Sequence, residues 1–145
     1  MKVRDILKSK GSGFESISPD QSIKDAISKL LDKKIGSLLV MKSNDLVGII
    51  TDRDIFWKMS REGDKALKDK VADLMTTKLI VGVPDDDIEV AMAYMTNNRF
   101  RHLPILDGSK VVGVISIGDI VKTQVHNLKV ENRYLMDYIT GKYPA

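Results

Sequence analysis

Two stretches of the sequence set a hydroxyl three residues ahead of a carboxylate, each directly after a glycine-led apolar run. They are Gly48-Ile49-Ile50-Thr51-Asp52-Arg53-Asp54 and Gly113-Val114-Ile115-Ser116-Ile117-Gly118-Asp119. A hydroxyl at i and an acid at i+3 mark a helix start: the hydroxyl caps an orphan N–H, and the acid suits the positive end of the helix dipole. That role is architectural, but the same geometry carries chemistry. Free N–H groups at a helix start suit a phosphate. The hydroxyl can donate to a phosphate or sugar oxygen. A first-turn carboxylate can accept two hydrogen bonds from a ribose diol. Gly48 and Gly113 would let a ligand approach the strand backbone. The two roles do not exclude one another.

The elements that position these motifs are themselves duplicated. At an offset of 65, residues 18–55 fall on 83–120 without a gap, and Pro19/Pro84, Asp20/Asp85, Leu38/Leu103, Gly48/Gly113 and Asp54/Asp119 are identical pairs. Further forward, Val3-Arg4-Asp5-Ile6-Leu7 resembles Val71-Ala72-Asp73-Leu74-Met75 at an offset of 68. A repeat of this size is one supersecondary unit that cannot bury its apolar face alone, so two copies imply two units packed together. In each copy Pro-Asp ends an extended segment and opens a helix. Its apolar face is Ile23, Ala26, Ile27, Leu30 and Leu31, or Ile88, Ala91, Met92 and Met95. Two apolar strands follow, Ile35 to Met41 and Leu46 to Ile50, or Phe100 to Leu106 and Val111 to Ile115, each pair joined by a polar turn. Thr51 or Ser116 then opens a second helix. The expected class is α/β, with β-α-β-β-α twice: one module over 1–66, a second over 67–126 and a helical extension over 127–145. Residues 58–69 read as a polar connection.

Composition narrows the function. Hydrophobic residues make up 43% and charged residues 30%, which are globular values. No apolar run approaches a membrane span, and the start of the chain lacks the apolar core of a secretory signal. The expected location is cytoplasmic, or the mitochondrial matrix if a transit peptide has been removed. With no cysteine, thiol chemistry and cysteine-based zinc sites are excluded. His102 and His126 lack ligand spacing, so no metal is expected. The net charge of +3 is dispersed among acids, against a nucleic-acid stripe. No nucleophile, base and orienter line up, and there is no phosphate-binding P-loop, so the chain is read as a non-enzyme. Asp85-Asp86-Asp87 is better explained by a helix start than by magnesium.

The whole pattern resembles the CBS domain, named after cystathionine beta-synthase. The segments that carry the likeness are Ser18-Pro19-Asp20, Ile35-Gly36-Ser37-Leu38-Leu39-Val40 and Leu46 to Asp54, with their counterparts Val83-Pro84-Asp85, Arg99 to Ile105 and Val111 to Asp119. The resemblance implies a pseudo-twofold pair with two clefts between modules that take adenosine compounds: AMP, ADP, ATP, NAD(H) or S-adenosylmethionine. By that pattern Asp54 and Asp119 hold ribose hydroxyls, with Thr51 and Ser116 beside the sugar-phosphate. Ile17-Ser18 and Val81-Gly82-Val83 supply backbone contacts to adenine. Gly36-Ser37 and Arg101-His102, followed by Pro104, face the same clefts. A regulatory nucleotide, an unidentified regulated protein and no enzymatic activity are what the resemblance implies; a ligand-free dimerisation or interaction scaffold is the other reading.

The copies differ. Arg101 and His102 stand where copy one has Gly36 and Ser37, and Arg53 stands where copy two has Gly118. Arg101 and Arg53 are phosphate candidates and His102 is a hydrogen-bond donor, so unequal ligand binding is expected. Lys34 and Arg99 suit matching helix ends. Phe56 and Trp57 are expected to pack between modules. Val121, Val125, Leu128, Asn132, Leu135 and Ile139 form a short heptad seam, expected to join two copies as a homodimer rather than fold back on the chain's own domain.

Overall fold

A computed structural model describes residues 1–11 and 13–141; the last four residues of the 127–145 extension lie outside that range. The chain runs α1 (Val3–Lys10), β1 (Ser16–Ile17), α2 (Ile23–Lys33), β2 (Ser37–Lys42), β3 (Asp45–Thr51) and α3 (Asp52–Glu62). A 3₁₀ helix (Gly63–Lys68) and α4 (Val71–Leu74) lead into α5 (Ile88–Asn98), β4 (His102–Asp107), β5 (Lys110–Ser116) and α6 (Ile117–Ile139). The helices start where local chemistry dictates. Ser22 caps α2 by accepting the Asp25 N–H at 3.1 Å, and one face of α2 (Ile23, Ala26, Leu30) is buried. In α5 the matching face is Ile88, Ala91 and Met95.

The two sheets repeat one another. β2 pairs antiparallel with β3, and β4 with β5, with the register slipping at Val40/Met41 and at Ile105/Leu106, the same place in each copy. A duplicated bulge bends both hairpins alike. β1 runs parallel to β2. Its counterpart in the second copy is a single bridge, Gly82 to Ile105, held by Gly82 N–H to Pro104 O and Leu106 N–H to Gly82 O, each 2.9 Å. A side chain at 82 would meet the side-chain ends of Ile105 (Cδ1, 2.9 Å) and Leu103 (Cδ2, 3.0 Å), so a larger residue there would have to push them aside.

Packing does not follow chain order. Val3 and Ile6 of α1 are buried in the core of the second module, with Ile88, Leu103, Ile115 and Ile120. Val71 of α4 is buried in the core of the first, with Ile23, Leu38, Ile50 and Ile55. The two leading helices are exchanged. Backbone bonds fix the exchange: Val3 N–H to Asp86 O (2.8 Å), Arg4 N–H to Pro84 O (3.0 Å), Ile23 N–H to Asp69 O (2.9 Å) and Val71 N–H to Gln21 O (2.8 Å). The acidic run contributes too, as Asp87 pairs with Lys2 and Asp85 with Arg4. A third apolar cluster, around Leu39, Ile49 and Val111, draws on both modules.

The polar connection 58–69 is itself folded: α3 continues to Glu62, the 3₁₀ helix follows, Ala66 is fully buried and Lys58 bridges Glu62 and Asp69. Two expectations are corrected. Phe56 and Trp57 do not pack between modules. They are 71% and 58% exposed, and Arg61 lies over the Trp57 ring; only Ile55 of α3 is buried. The extended segments begin later than expected, at Ser37 and His102, because Lys34 and Arg99 end their helices in the left-handed conformation (φ 56° and 58°) and use two residues to turn. Among the described residues, no helix is long and apolar enough to cross a membrane.

Candidate functional site

Both hydroxyl–acid motifs form reciprocal caps at the junctions β3–α3 and β5–α6. Thr51 Oγ1 accepts the Asp54 N–H at 3.2 Å, and Asp54 Oδ2 accepts the Thr51 N–H at 3.0 Å. Ser116 Oγ and Asp119 Oδ2 do the same at 3.0 and 2.9 Å. Each strand therefore delivers a half-buried carboxylate to the same place in its module. A carboxylate offers about four acceptor positions, so the cap leaves most of each free.

Each carboxylate lies on the wall of a hollow made jointly by both modules. The first hollow, about 510 Å³, is lined by Thr51, Asp52, Arg53 and Asp54 from one side. Lys78, Leu79 and Ile80, Asn98 to His102, and Pro104 close the other. The second, about 580 Å³, sets Ser116 and Asp119 against Phe14, Glu15 and Lys34 to Ser37, with Lys10 and Val114 at its side. Both volumes fall in the range of small-molecule sites, roughly 300–1,000 Å³. At the repeat offset the walls correspond: Thr51 to Ser116, Asp54 to Asp119, Arg99 to Lys34, Leu79 to Phe14.

The chemistry of the walls differs. The first hollow carries four basic side chains, Arg53, Lys78, Arg99 and Arg101, against two acids, Asp52 and Asp54. The second carries two bases, Lys10 and Lys34, against Glu15 and Asp119. Burial alone would raise the Asp119 pKa. The Ser116 N–H and the Lys10 ammonium outweigh it and hold the carboxyl below its ordinary value.

His102 lines both hollows. Burial, then the neighbouring Arg101 cation, lowers its pKa below the ordinary 6.5; Asp52 acts in the opposite sense. A side chain at Gly36 would meet His102 Nε2 at 3.3 Å and Asp52 Oδ2 at 3.4 Å. Glycine at 36 thus leaves room for the imidazole between the modules. Asp52 Oδ1 is buried without a hydrogen-bond partner.

Of the residues singled out from sequence, Thr51, Arg53, Asp54, Arg101, His102 and Pro104 line the first hollow. Gly36, Ser37, His102, Ser116 and Asp119 line the second. Ile17, Ser18, Val81 and Val83 line neither. Ile17 is buried in the first core, Ser18 and Val83 make turn hydrogen bonds through Gln21 and Asp86, and Val81 is exposed. The segments just before them, Phe14-Glu15 and Leu79-Ile80, take the lining positions. Sequence reasoning also missed Lys10, Asp52 and Lys78. Carrying the repeat four residues further back would have aligned Phe14 with Leu79, and the 68-residue offset aligns Lys10 with Lys78.

Duplicated α/β modules with exchanged leading helices, and matched carboxylates on two shared hollows, define a tandem module pair. The CBS domain pattern matches residues 3–61 and 71–126, and the chain belongs to the CBS-domain family. It is 35% identical over 150 residues to the mitochondrial CBS domain-containing protein CBSX3 of Arabidopsis thaliana, covering 97% of this chain and 73% of that one. Among solved structures, a CBS-domain protein of Agrobacterium tumefaciens matches with a TM-score of 0.83 at 33% identity, over 86% of this chain and 99% of that one. CBSX2, solved in complex with AMP, matches with a TM-score of 0.70 at 27% identity, over 86% and 96%.

Proposed function

We propose that the chain is a regulatory CBS pair that binds an adenine nucleotide (AMP, ADP, ATP or NAD(H)) in the hollows between its modules. Occupancy would alter module packing, and a protein partner would read that change. The observation that carries this reading is the matched placement of Asp54 and Asp119, each capped in the same way and each on the wall of a hollow shared by both modules. In the first hollow the free lone pairs of Asp54 would take the ribose diol. Leu79, Ile80 and Pro104 offer apolar surface for a base. Arg53, Lys78, Arg99 and Arg101 offer charge for phosphates, with the arginines able to bind them bidentately. AMP in the CBSX2 complex supports this class of ligand.

A ligand-free scaffold is favoured by one observation: Asp54 and Asp119 are already engaged as helix caps, and Asp119 also has Lys10. In either role, the exposed α6 seam would pair two copies: Val121, Val125, Leu128, Leu135 and Ile139 are 44–74% exposed, with none folded back on the core. The deciding experiment is thermal unfolding with AMP, ADP, ATP, NADH and S-adenosylmethionine. A binding nucleotide at a hundredfold excess over Kd adds about 2.7 kcal/mol of stability. An unmoved Tm with all five would leave only the scaffold.

A further inference from the structure

We infer that Lys10 is the specificity-determining residue of the second hollow: its ammonium holds Oδ2 of the carboxylate that a ribose would use, so a nucleoside binds there in competition with it. The inference rests on the reading of the hollows as nucleotide sites. Lys10 Nζ lies 2.9 Å from Asp119 Oδ2 and 2.8 Å from the Val114 carbonyl, linking residues more than a hundred positions apart. The Asp119 side chain is 24% exposed and the Lys10 side chain 43%, so solvent and salt reach the pair from the lysine side.

The repeat supplies the contrast. Lys78, the counterpart of Lys10, lines the first hollow but makes no ion pair among the described residues. The cause lies in the exchanged helices. α4 ends at Leu74, and Thr76 then bridges β3, exchanging N–H to O bonds with Ile49 at 3.0 and 2.9 Å. β-Branched Thr76 and Thr77 suit that extended backbone. α1 instead stays helical through Leu7-Lys8-Ser9-Lys10 and carries Lys10 to Val114. Val114 is the counterpart of Ile49. Thus the same strand position is satisfied by backbone in one module and by a lysine in the other. Directly after Lys10 the helix ends at Gly11 (φ 98°), whose N–H bonds the Leu7 carbonyl.

The test is calorimetric titration with adenosine, which has a diol and no phosphate, on Asp54→Ala, Asp54→Ala/Lys10→Met and Asp54→Ala/Asp119→Ala. Circular dichroism checks that each is folded, and Lys10→Gln serves as the second removal of charge. Removing Lys10 is expected to tighten adenosine about tenfold, as a charged hydrogen bond no longer has to be broken. With Lys10 present, adenosine should bind more tightly as NaCl rises from about 50 to about 500 mM, because salt screens the competing pair; without it that dependence vanishes. Asp119→Ala removes the binding. Equal or weaker adenosine affinity without Lys10 overturns the assignment, while the site reading stands if Asp119 is still required. No adenosine heat in any variant overturns both for this hollow.

Discussion

The two hollows were built by one duplication, yet they offer a ligand different things. In the first, Asp54 faces open space beside four basic side chains. In the second, Asp119 has an internal cation of its own and two lysines balance two acids. The difference is set by where a short helix stops. α4 gives way to an extended strand partner, and α1 does not. A pseudo-symmetric fold therefore need not give equivalent sites. Small changes in helix length at the exchanged ends decide which charges reach which wall.

Removing the carboxylates should break the comparison most visibly. Asp54→Ala is expected to weaken nucleotide binding about a hundredfold, the loss of two hydrogen bonds to a charged group. Asp119→Ala should change wild-type affinity far less, because Lys10 already competes there. Each change also removes half of a reciprocal cap, at a cost of about 1 kcal/mol in denaturant unfolding. Equal losses of binding would mean that the hollows are equivalent.

Substitution of the paired glycines sharpens the comparison in the supporting backbone. A Cβ at 48 would meet Met75 Sδ at 2.7 Å and the Thr76 carbonyl at 3.0 Å, whereas a Cβ at 113 would meet only the Leu7 side chain. Overpacking against backbone is harder to relieve. Gly48→Ala is expected to cost about 2 kcal/mol and Gly113→Ala about 1 kcal/mol in denaturant unfolding.

The smallest effect concerns His102, which both hollows share. Its folded pKa lies below 6.5, so below that pH the unfolded chain binds more protons than the folded one. Stability is then lost as pH falls from about 6.5 toward the lower folded value, and is indifferent to this group above it. Asp119 adds a loss only at much lower pH, because its folded pKa lies below 3.8 and its contribution is intact above that value. Thermal melts from pH 7.5 to 5 should show a declining Tm that His102→Gln flattens. An unchanged slope in that variant would place the titrating group elsewhere.

Much of this was legible in the sequence because its signals are local. Ser22, Thr51 and Ser116 cap helices through residues three positions on, and that spacing can be read without a fold. The strand pairs of each copy are likewise joined by tight turns. The lining segments were less legible. Phe14-Glu15 and Leu79-Ile80 carry no motif, and only the walls opposite them make them part of a site. Phe56 and Trp57 read as interior residues by type, yet α3 turns them to the surface because its core-facing side is Ile55 and, one turn on, Met59.

The sequence by itself determined that two α/β units would be built alike, each ending its second strand in a capped carboxylate, since short-range hydrogen bonding and apolar periodicity suffice for that. Only the tertiary structure decided that α1 would complete the second module and α4 the first. It also decided that Lys10 would meet Asp119 and that His102 would stand between the hollows. Those meetings join residues remote in the chain, and they depend on where each buried face finds its partner, which no local spacing encodes.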